Sequence, residues 1–586
     1  MKKPLDHLLP YYLQELEELR TLGQEFATRF PNVAQYLDLG KQASNDPHVE
    51  RLLESFAFLT GRLQRQMDEL APETASSLLN LLYPSFTRPI PAMALFCFDV
   101  DIDQCAQAPG TCVPSGSTLF ATRSDGAVCY FRTSHDLLLW PLQILSIDMV
   151  APDAPLMVAP DYLHLRLRWG GPAGQGPKHL RFYLQGEEAQ RHLLYRSLFF
   201  PDFPVLLKTE SSLQPLAPLR PIGFTEEESL LPTPHEEHRG FRLLEEYFAL
   251  PQKFLGGHID GIPAAAWQET LSLYLPLKIS SEESLKVSSS SIGFHCVPGI
   301  NLFEVVSEPL VLDYTQTEML IVPDQRRYDA QEVYSLSRVI GVSADTAEEE
   351  DIPPYYAETY DTSQREPTLF WTVRRIPAKQ GSGTDVLLSV INTNLDPTRN
   401  EQKTLYVHTL CTNREATRDI PAEGAFQIEQ TLPIKALFCT ERPTDPRAPH
   451  GQGETLWQLV SFLSLESLSF VEEEETLLQR LKELLRVLSK RITPVHQEIR
   501  TISALSCRPS TRRLGRDGWR GFVPGQEISL EVRELGQATN PLLLGKVLSE
   551  FFRSYTSYNS FVETTLQDPG KGRKTWPPQF GLQHNL

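Results

Sequence analysis

The sequence contains no stretch of about 18 consecutive apolar residues, which is roughly the minimum length for a helix that spans a bilayer. We therefore expect no direct insertion into a membrane. The start of the chain, Met1-Lys2-Lys3, resembles the charged region of a signal peptide, but Pro4 and Asp6 follow where an apolar region would be needed. These features predict a protein that stays in the cytoplasm.

Cysteine is scarce, and its spacing matches neither a zinc site nor a disulfide framework. The eight cysteines are spread over 586 residues without a C-x-x-C pair or histidines at a zinc-binding spacing. In a reducing compartment we expect each of them to be a small buried apolar residue. The set is Cys97, Cys105, Cys112, Cys129, Cys296, Cys411, Cys439 and Cys507.

Basic residues are fewer than acidic ones. The chain has 55 lysines and arginines and 74 aspartates and glutamates, which gives a formal net charge of -19. Nucleic acid binding depends on clustered basic side chains that displace counterions, so we expect no nucleic acid partner. The basic run from Arg512 to Arg516 is interpreted as a solvated loop or a contact to an acidic neighbour.

The sequence lacks the usual signatures of catalysis and cofactor binding. It has neither a G-x-S-x-G nucleophile motif nor a Walker sequence, and no dinucleotide-binding glycine pattern follows a predicted strand. His235 and His238 are three residues apart rather than at the H-E-x-x-H spacing, which does not favour a metal site. Buried packing is preferred over a nucleophilic role for Cys296, beside His295, and for Cys411. We predict no cofactor, no metal and no enzymatic activity.

The length and the texture of the chain predict a multidomain α+β protein. A chain of 586 residues is several times longer than one usual domain, and its pattern changes from helical to β-rich and back. We predict an N-terminal helical region at 1–91, a β-rich domain at 92–270, a second β-rich domain at 271–450, and an α+β domain at 451–586.

Two apolar seams with alternating spacings of four and three residues mark helices in the N-terminal region. Pro47 follows Asp46 at the predicted start of the second helix, and Pro84 ends a third short helix predicted around Leu78 to Leu82. The seams either bury each other in a helical hairpin or meet helices of another chain, and the sequence leaves both possibilities open. The first seam contains Tyr12, Leu16, Leu19, Phe26 and Phe30, and the second contains Leu52, Phe56, Leu59 and Leu63.

Short apolar stretches broken by many prolines and glycines are typical of β-structure, and they fill the chain from about residue 92 to 450. From Leu163 to Trp169, apolar residues alternate with charged ones, which predicts a half-buried strand, and the next strand is predicted near Leu180. The glycine-rich segment 170–178 between them is interpreted as a hairpin loop. The acidic run 348–351 is predicted to be an exposed loop.

The last part of the chain returns to helical periodicity and then adds a strand. Leucines on one face predict an amphipathic helix after the acidic run 472–475, whose charges suit the positive end of the helix dipole. A strand is predicted around Ile528 to Val532, followed by an amphipathic helix from Leu543 to Phe552. The leucines of the first of these helices that we predict to contact a partner are Leu478, Leu481 and Leu485.

Several motifs, in the same order along nearly the whole chain, resemble the TssF family of the type VI secretion baseplate. Their prolines and large aromatic residues, such as Pro47, Tyr83 and Phe248, shape a scaffold rather than perform chemistry. The motifs include Asp46-Pro47-His48-Val49-Glu50-Arg51-Leu52, Leu81-Leu82-Tyr83-Pro84, Leu243-Leu244-Glu245-Glu246-Tyr247-Phe248-Ala249-Leu250-Pro251, His295-Cys296-Val297-Pro298, Cys411-Thr412-Asn413-Arg414 and Asn559-Ser560-Phe561.

The resemblance implies a structural subunit. It implies that two copies of the chain assemble with one TssG into a wedge, which joins TssK and TssE around a VgrG hub and serves as the platform for sheath and tube assembly. It also implies a cytoplasmic protein that is recruited to the secretion complex anchored in the inner membrane. Because apolar seams need partners, we predict that the seam residues form contacts in this assembly. Two alternatives are a self-sufficient homo-oligomeric shell protein and a hydrolase of glycans or peptides.

Overall fold

The computed structural model divides the chain into two compact units. The helical unit contains residues 1–84 and 450–464, and the large unit contains residues 85–449 and 465–586. Side chains are not described at 63–73, 454, 493–496 and 514. The residues that the structure describes are 12, 13, 15, 16, 19, 20, 47–123, 126–152, 158–209, 212–232, 239–279, 284–313, 315–343, 348–355, 369–379, 381–393, 403–449, 454–463, 474–489, 493–514, 521–533, 539–568 and 572–582.

The described part of the chain mixes helices and strands, which confirms the predicted α+β class. Helical backbone occurs at the described residues between 12 and 20. The further helices are α1 (Pro47–Leu82), α2 (Ile102–Cys105), α3 (Glu188–Phe199), α4 (Arg239–Ala249), α5 (Glu454–Leu463), α6 (Glu474–Leu488), α7 (Thr493–Thr501) and α8 (Pro541–Tyr555).

The strands belong to the large unit and are mostly short. They are β1 (Met93–Val100), β2 (Thr111–Val113), β3 (Thr118–Thr122), β4 (Val128–Thr133), β5 (Leu137–Leu139), β6 (Leu142–Val150), β7 (Asp161–Trp169), β8 (His179–Leu184), β9 (Pro204–Lys208), β10 (Leu213–Pro218), β11 (Arg220–Pro221), β12 (Gly256–Asp260), β13 (Thr270–Leu277), β14 (Ile292–Gly293), β15 (Cys296–Ile300), β16 (Phe303–Val306), β17 (Leu310–Leu312), β18 (Met319–Leu320), β19 (Glu332–Ser343), β20 (Glu349–Ile352), β21 (Leu369–Pro377), β22 (Thr384–Asn392), β23 (Lys403–Thr412), β24 (Gln427–Ile428), β25 (Ile434–Cys439), β26 (Ile502–Leu514), β27 (Gly521–Val532), β28 (Phe561–Asp568), β29 (Gly572–Thr575) and β30 (Gln579–Phe580).

The helical unit is built on α1, which runs for 36 residues from Pro47. Proline is well tolerated at the first helical position because the amide there lacks an intrahelical partner. The helix continues to Leu82 and ends before Pro84. The separate short helix predicted around Leu78 is therefore wrong. Residues 62–71 are mostly good helix formers, so the helix propagates through them.

The first sheet of the large unit joins segments that lie far apart in the sequence. Its strand order is β24-β3-β4-β15-β1-β25, so β1 pairs with strands that begin at Cys296 and at Ile434. Phe96 on β1 packs edge to face on Phe131 and Phe426, with ring centroids 5.3 and 4.8 Å away. Strands from both predicted β-rich domains, 92–270 and 271–450, thus belong to this one sheet. The predicted four-domain division remains a proposal.

The second sheet contains the strand that the alternating pattern predicted. Its order is β10-β9-β13-β7-β6, and β7 buries its leucines and Trp169 while Arg166 and Arg168 are exposed. The predicted strand near Leu180 is confirmed as β8. Segment 170–178 is a loop as predicted, but the predicted hairpin is wrong, because β8 pairs with β12 and β14 in another sheet rather than with β7. The connection folds against Trp267, whose ring would collide with any side chain at Gly176.

Residues Glu349 to Asp351 of the acidic run belong to a strand, so the loop predicted at 348–351 is wrong, although Glu348, Glu349 and Asp351 are exposed as predicted. Strand β20 pairs with β19 in a sheet of order β16-β23-β19-β20. The Glu350 carboxylate forms an ion pair with Lys403, and Asp351 accepts a hydrogen bond from Arg338 Nε at 3.1 Å. These cations offset the repulsion between neighbouring carboxylates that favoured a loop.

The C-terminal sheet has the order β26-β27-β28-β29, with β30 paired to β28. The predicted strand around Ile528 to Val532 is confirmed within β27, and the helix predicted from Leu543 is confirmed as α8. Strands β27 and β28 are parallel and α8 connects them. Helix α4 contacts α8, with Phe241 packed edge to face on Phe551 at 5.7 Å.

A buried carboxyl group joins three helices of this region. Glu498 on α7 accepts a hydrogen bond from the Tyr247 hydroxyl on α4 at 2.6 Å and one from the backbone amide of Asn540 at 3.2 Å. Burial raises the pKa of Glu498 from an ordinary value of 4.5 to about 7, with a further contribution from the charge of Glu188 on α3. The carboxyl group therefore holds a proton in the native state at pH values where the unfolded chain has lost it.

We expect stability to fall as the pH rises from about 5 to about 7, because the native state binds more protons than the unfolded state in this window. Glu498→Gln keeps one oxygen as acceptor for the backbone amide of Asn540, its side-chain amide can donate to the Tyr247 hydroxyl, and it removes the titration. Between about pH 5 and pH 7, the unfolding free energy of the variant minus that of the wild type should therefore increase by up to roughly 1 kcal/mol per pH unit. Denaturant titrations at several pH values measure both slopes, and equal slopes would contradict the assignment.

Candidate interaction surface

Three large apolar side chains form an exposed stripe on α1. Leu52 is 67% exposed, Phe56 is 56% exposed and Leu59 is 57% exposed. Their spacings of four and three residues place them within about 60° of one another around the helix axis. We call Leu52, Phe56 and Leu59 the α1 stripe.

The buried side of α1 lies on another face of the helix. Ala57, Gly61, Ala75 and Leu79 are buried, and their positions fall within about 40° of one another, centred about 150° from the stripe. Within the helical unit α1 contacts α5. Small residues on the buried face let neighbouring backbones approach closely, as is usual where helices pack. The helix therefore has its own buried face and leaves the stripe at the surface.

Further apolar side chains are exposed on the same unit. Complete burial of one such side chain stabilises a contact by roughly 1.5–3 kcal/mol, and large exposed apolar patches mark interaction sites. These residues are not among the contact residues predicted from the sequence. The continued spacing of three along α1 was the signal that could have found the leucines, but it was assigned to a separate helix. The additional exposed residues are Leu13, Phe58, Leu78, Leu81, Leu82 and Trp457.

The first predicted seam and the second seam approach each other at one place. Tyr12 and Leu59 line the same surface groove, together with Glu54, Ser55 and Phe58. In the described part of the first helix, Leu16 is buried and Leu19 is half-buried, and Arg20 forms an ion pair with Glu50 of α1. Phe26, Phe30 and the side chain of Leu63 lie outside the described residues.

The three C-terminal leucines occupy a different environment. Leu478 is 9% exposed, and Leu481 and Leu485 are fully buried. Their helix, α6, contacts strand β26 and the helices α4 and α7. An amphipathic helix that lies on a sheet directs its apolar face into that sheet. These leucines therefore belong to the core of the chain, and the exposed part of the predicted set is the α1 stripe.

Two cysteines depart from the expectation of isolated thiols. Cys97 and Cys296 lie opposite each other on β1 and β15 and form a disulfide across 199 residues of sequence. Strand pairing brings them together, and their sequence spacing holds no sign of it. Cys112 is exposed rather than buried. The expectation of a buried apolar thiol was thus wrong for these three positions, and Cys507 is only partly buried.

The residues that resembled a thiol site are not arranged for nucleophilic chemistry. Cys296 is bonded to Cys97, and burial lowers the pKa of the neighbouring His295 to about 4. The backbone amide of Trp140 donates to His295 Nε2 at 3.2 Å. Burial raises the pKa of the Cys411 thiol to about 12, the opposite of what an activated nucleophile needs. The buried packing predicted for Cys411 is confirmed.

The described ranges contain neither a metal-binding cluster nor a membrane-spanning helix. No group of three or more His, Cys, Asp or Glu side chains in them could hold a metal ion. His235 and His238 lie outside these ranges. None of the helices described is both long enough and apolar enough to cross a bilayer.

Comparison with known proteins gives matches over almost the entire chain. The family model described as type VI secretion system, TssF matches residues 5–583. The type VI secretion system component TssF1 of Pseudomonas aeruginosa is 31% identical over 619 aligned positions, which cover 99% of this chain and 99% of that protein.

Two solved structures share the fold. A chain of the TssK-TssF-TssG baseplate subcomplex of the type VI secretion system, solved by cryo-electron microscopy, has a TM-score of 0.72 and 22% identity, covering 91% of this chain and 100% of that chain. A chain of the baseplate complex from the type VI secretion system has a TM-score of 0.60 and 21% identity, covering 99% and 100%. With the match of the family model to residues 5–583, these findings show that the chain belongs to the TssF family of the type VI secretion system.

Proposed function

We propose that this chain is a structural subunit of the type VI secretion baseplate and that it performs no catalysis. Membership of the TssF family supports the first part, since the similar solved chains come from baseplate complexes. The observation that carries the proposal is the α1 stripe, because an isolated subunit gains nothing from three large apolar side chains in water. An assembly subunit buries such side chains against its partner.

The partners that we propose follow from the complexes in which similar chains occur. A TssG-like protein and TssK are the first, because the similar chain with the TM-score of 0.72 was solved with both. The finer arrangement remains part of the proposal: two copies of this chain with one TssG-like protein in a wedge, joined to TssE and surrounding a VgrG hub as the platform for sheath and tube assembly. The chain would act in the cytoplasm and be recruited to the membrane-anchored secretion complex.

The α1 stripe is the contact that we assign to the wedge. Its spacing of four and three residues suits packing against helices of another chain, in which alternate side chains fit between those of the partner. We therefore propose that the TssG-like protein, or the second copy of this chain, contributes helices to that contact. The residues Tyr12, Leu19, Phe26, Phe30 and Leu63 of the predicted seams remain proposed contributors.

Native mass spectrometry tests the proposal directly. The tagged chain is expressed together with the other proteins of its secretion gene cluster, and the recovered complex is weighed intact. We expect a mass that fits two copies of this chain for each TssG-like protein. A stable homo-oligomer of this chain alone would instead support the shell alternative, and recovery of a monomer would overturn the wedge.

A further inference from the structure

The hairpin of β26 and β27 extends beyond the sheet to which it belongs. The two strands pair along their whole length, from Ile502 opposite Val532 to Leu514 opposite Gly521. Strand β28 pairs with β27 only from Gly525 to Glu531. In the described part of the chain, residues 511–514 and 521–524 therefore form a two-stranded projection, which we call the arm.

One face of the arm is electrically balanced within the chain. Arg512 donates a hydrogen bond to Glu527 at 2.9 Å and forms a second ion pair with Glu563 on β28. The register places these groups on the same side of the hairpin. The carboxylates of Glu527 and Glu563 thus neutralise Arg512, the first arginine of the basic run 512–516.

The opposite face has no such balance. Arg513 lies directly opposite Phe522, and Thr511 lies opposite Pro524. Because side chains alternate along a strand, the residues of this face between Thr511 and Leu505 on β26 are Pro509 and Cys507, opposite Gln526 and Ile528 on β27. Among the described residues of the two strands, none on this face is acidic.

This face is the outward continuation of the core of the C-terminal sheet. At the base of the hairpin the same side carries Leu505 and Leu530, which are buried. Helices α6 and α7 contact β26. At the arm the same side of the hairpin is exposed to solvent, and Phe522 is 80% exposed. In the described residues, this face of the arm thus exposes Phe522 beside Arg513 and carries no carboxylate on either strand.

We infer that the Arg513 and Phe522 face of the arm docks an acidic segment of a partner protein that carries an apolar side chain. Arginine and aromatic residues are enriched in the energetically dominant part of protein interfaces. The Arg513 guanidinium on this face attracts carboxylates, so the face favours a partner segment that is rich in aspartate and glutamate. Pro509 on the edge strand disfavours strand addition, so side chains make the contact.

This inference goes beyond the proposed function. It concerns a surface of the large unit, and the α1 stripe belongs to the helical unit. Loss of the arm contact would leave binding of the TssG-like protein through the stripe unaffected. The two proposals can therefore fail separately.

Photo-crosslinking in the assembled complex tests the inference. The photoreactive residue p-benzoylphenylalanine replaces Phe522, the chain is expressed with the other proteins of its secretion gene cluster, and crosslinked peptides are identified by mass spectrometry. We expect crosslinks to a peptide of another baseplate protein that is rich in aspartate and glutamate. The same probe at Tyr558, an exposed aromatic residue of the same unit, is the control.

Charge reversal provides the second measurement. Arg513→Glu should weaken retention of the crosslinked protein by about tenfold, whereas Arg168→Glu, at another exposed arginine, should leave it unchanged. Both variants should unfold at the temperature of the wild type. Crosslinks to this chain itself, crosslinks to a peptide without acidic residues, or a yield no higher than at Tyr558 would each overturn the inference, as would unaffected retention in Arg513→Glu.

Discussion

Replacing Phe56 and Leu59 together with aspartate is expected to abolish co-purification of the chain with the TssG-like protein. An aspartate that must enter an apolar contact loses its hydration without compensation, which costs several kcal/mol per buried carboxylate. Two such substitutions should weaken the complex at least about a hundredfold. A tagged pull-down followed by quantitative mass spectrometry measures the loss.

The same double variant should fold normally, because both side chains are exposed in the chain by itself and surface substitutions usually change stability by less than about 0.5 kcal/mol. Thermal unfolding therefore separates loss of assembly from loss of structure. Leu138→Asp is the matched control, since Leu138 is a similarly exposed leucine of the large unit. Undiminished recovery of the complex with the double variant would refute a role for the α1 stripe.

Leu16 is not a suitable position for this test of assembly, although it belongs to the same set of contact residues predicted from the sequence. Its side chain is buried in the described structure, so an aspartate there is expected to unfold the helical unit and would report on stability alone. The substitutions at Phe56 and Leu59 avoid that ambiguity.

Glu246→Ala is expected to produce the largest loss of stability. Glu246 and Lys253 form an ion pair in which both side chains are only 1% exposed. One oxygen of the carboxylate also accepts hydrogen bonds from the backbone amides of Leu230 and Leu231, at 2.9 and 3.0 Å. Truncation leaves the Lys253 ammonium and two amides buried without these partners, which should cost about 3–5 kcal/mol.

Denaturant unfolding monitored by fluorescence measures this loss for the large unit. Glu318→Ala supplies the comparison, because Glu318 pairs with Arg374 at 2.7 Å on the surface and such pairs contribute less than about 1 kcal/mol. A Glu246→Ala variant that matches Glu318→Ala in stability would show that the buried pair is dispensable. Lys253→Met should behave like Glu246→Ala, since it leaves the carboxylate without its cation.

Local sequence patterns predicted elements because helix and strand periodicities are properties of neighbouring residues. The alternation around Leu165 gave β7, and the leucine spacing around Leu481 gave α6. The prediction for the acidic run 348–351 was wrong for a related reason. Like charges along one strand repel, but the compensating cations Arg338 and Lys403 lie on other strands of the sheet and are distant in the sequence.

The family resemblance could be recognised from the sequence because many motif residues are prolines or large side chains at fixed places in the chain. Proline ends helices wherever its missing amide and its ring disrupt the ladder, so Pro84 and Pro251 carry positional information by themselves. The contact residues were harder to find. A narrow apolar seam looks the same in a sequence whether it faces the core of its own chain or a partner.

By itself the sequence determined the periodicity of α1, α6 and β7, the α+β class and membership of the TssF family. The tertiary structure decided that Leu481 is covered while Phe56 is exposed, because burial depends on which elements pack over a face. It also decided that Cys97 meets Cys296, since strand pairing joins β1 to β15 across 199 residues. Periodicity is local, whereas burial and pairing depend on contacts between segments far apart in the chain.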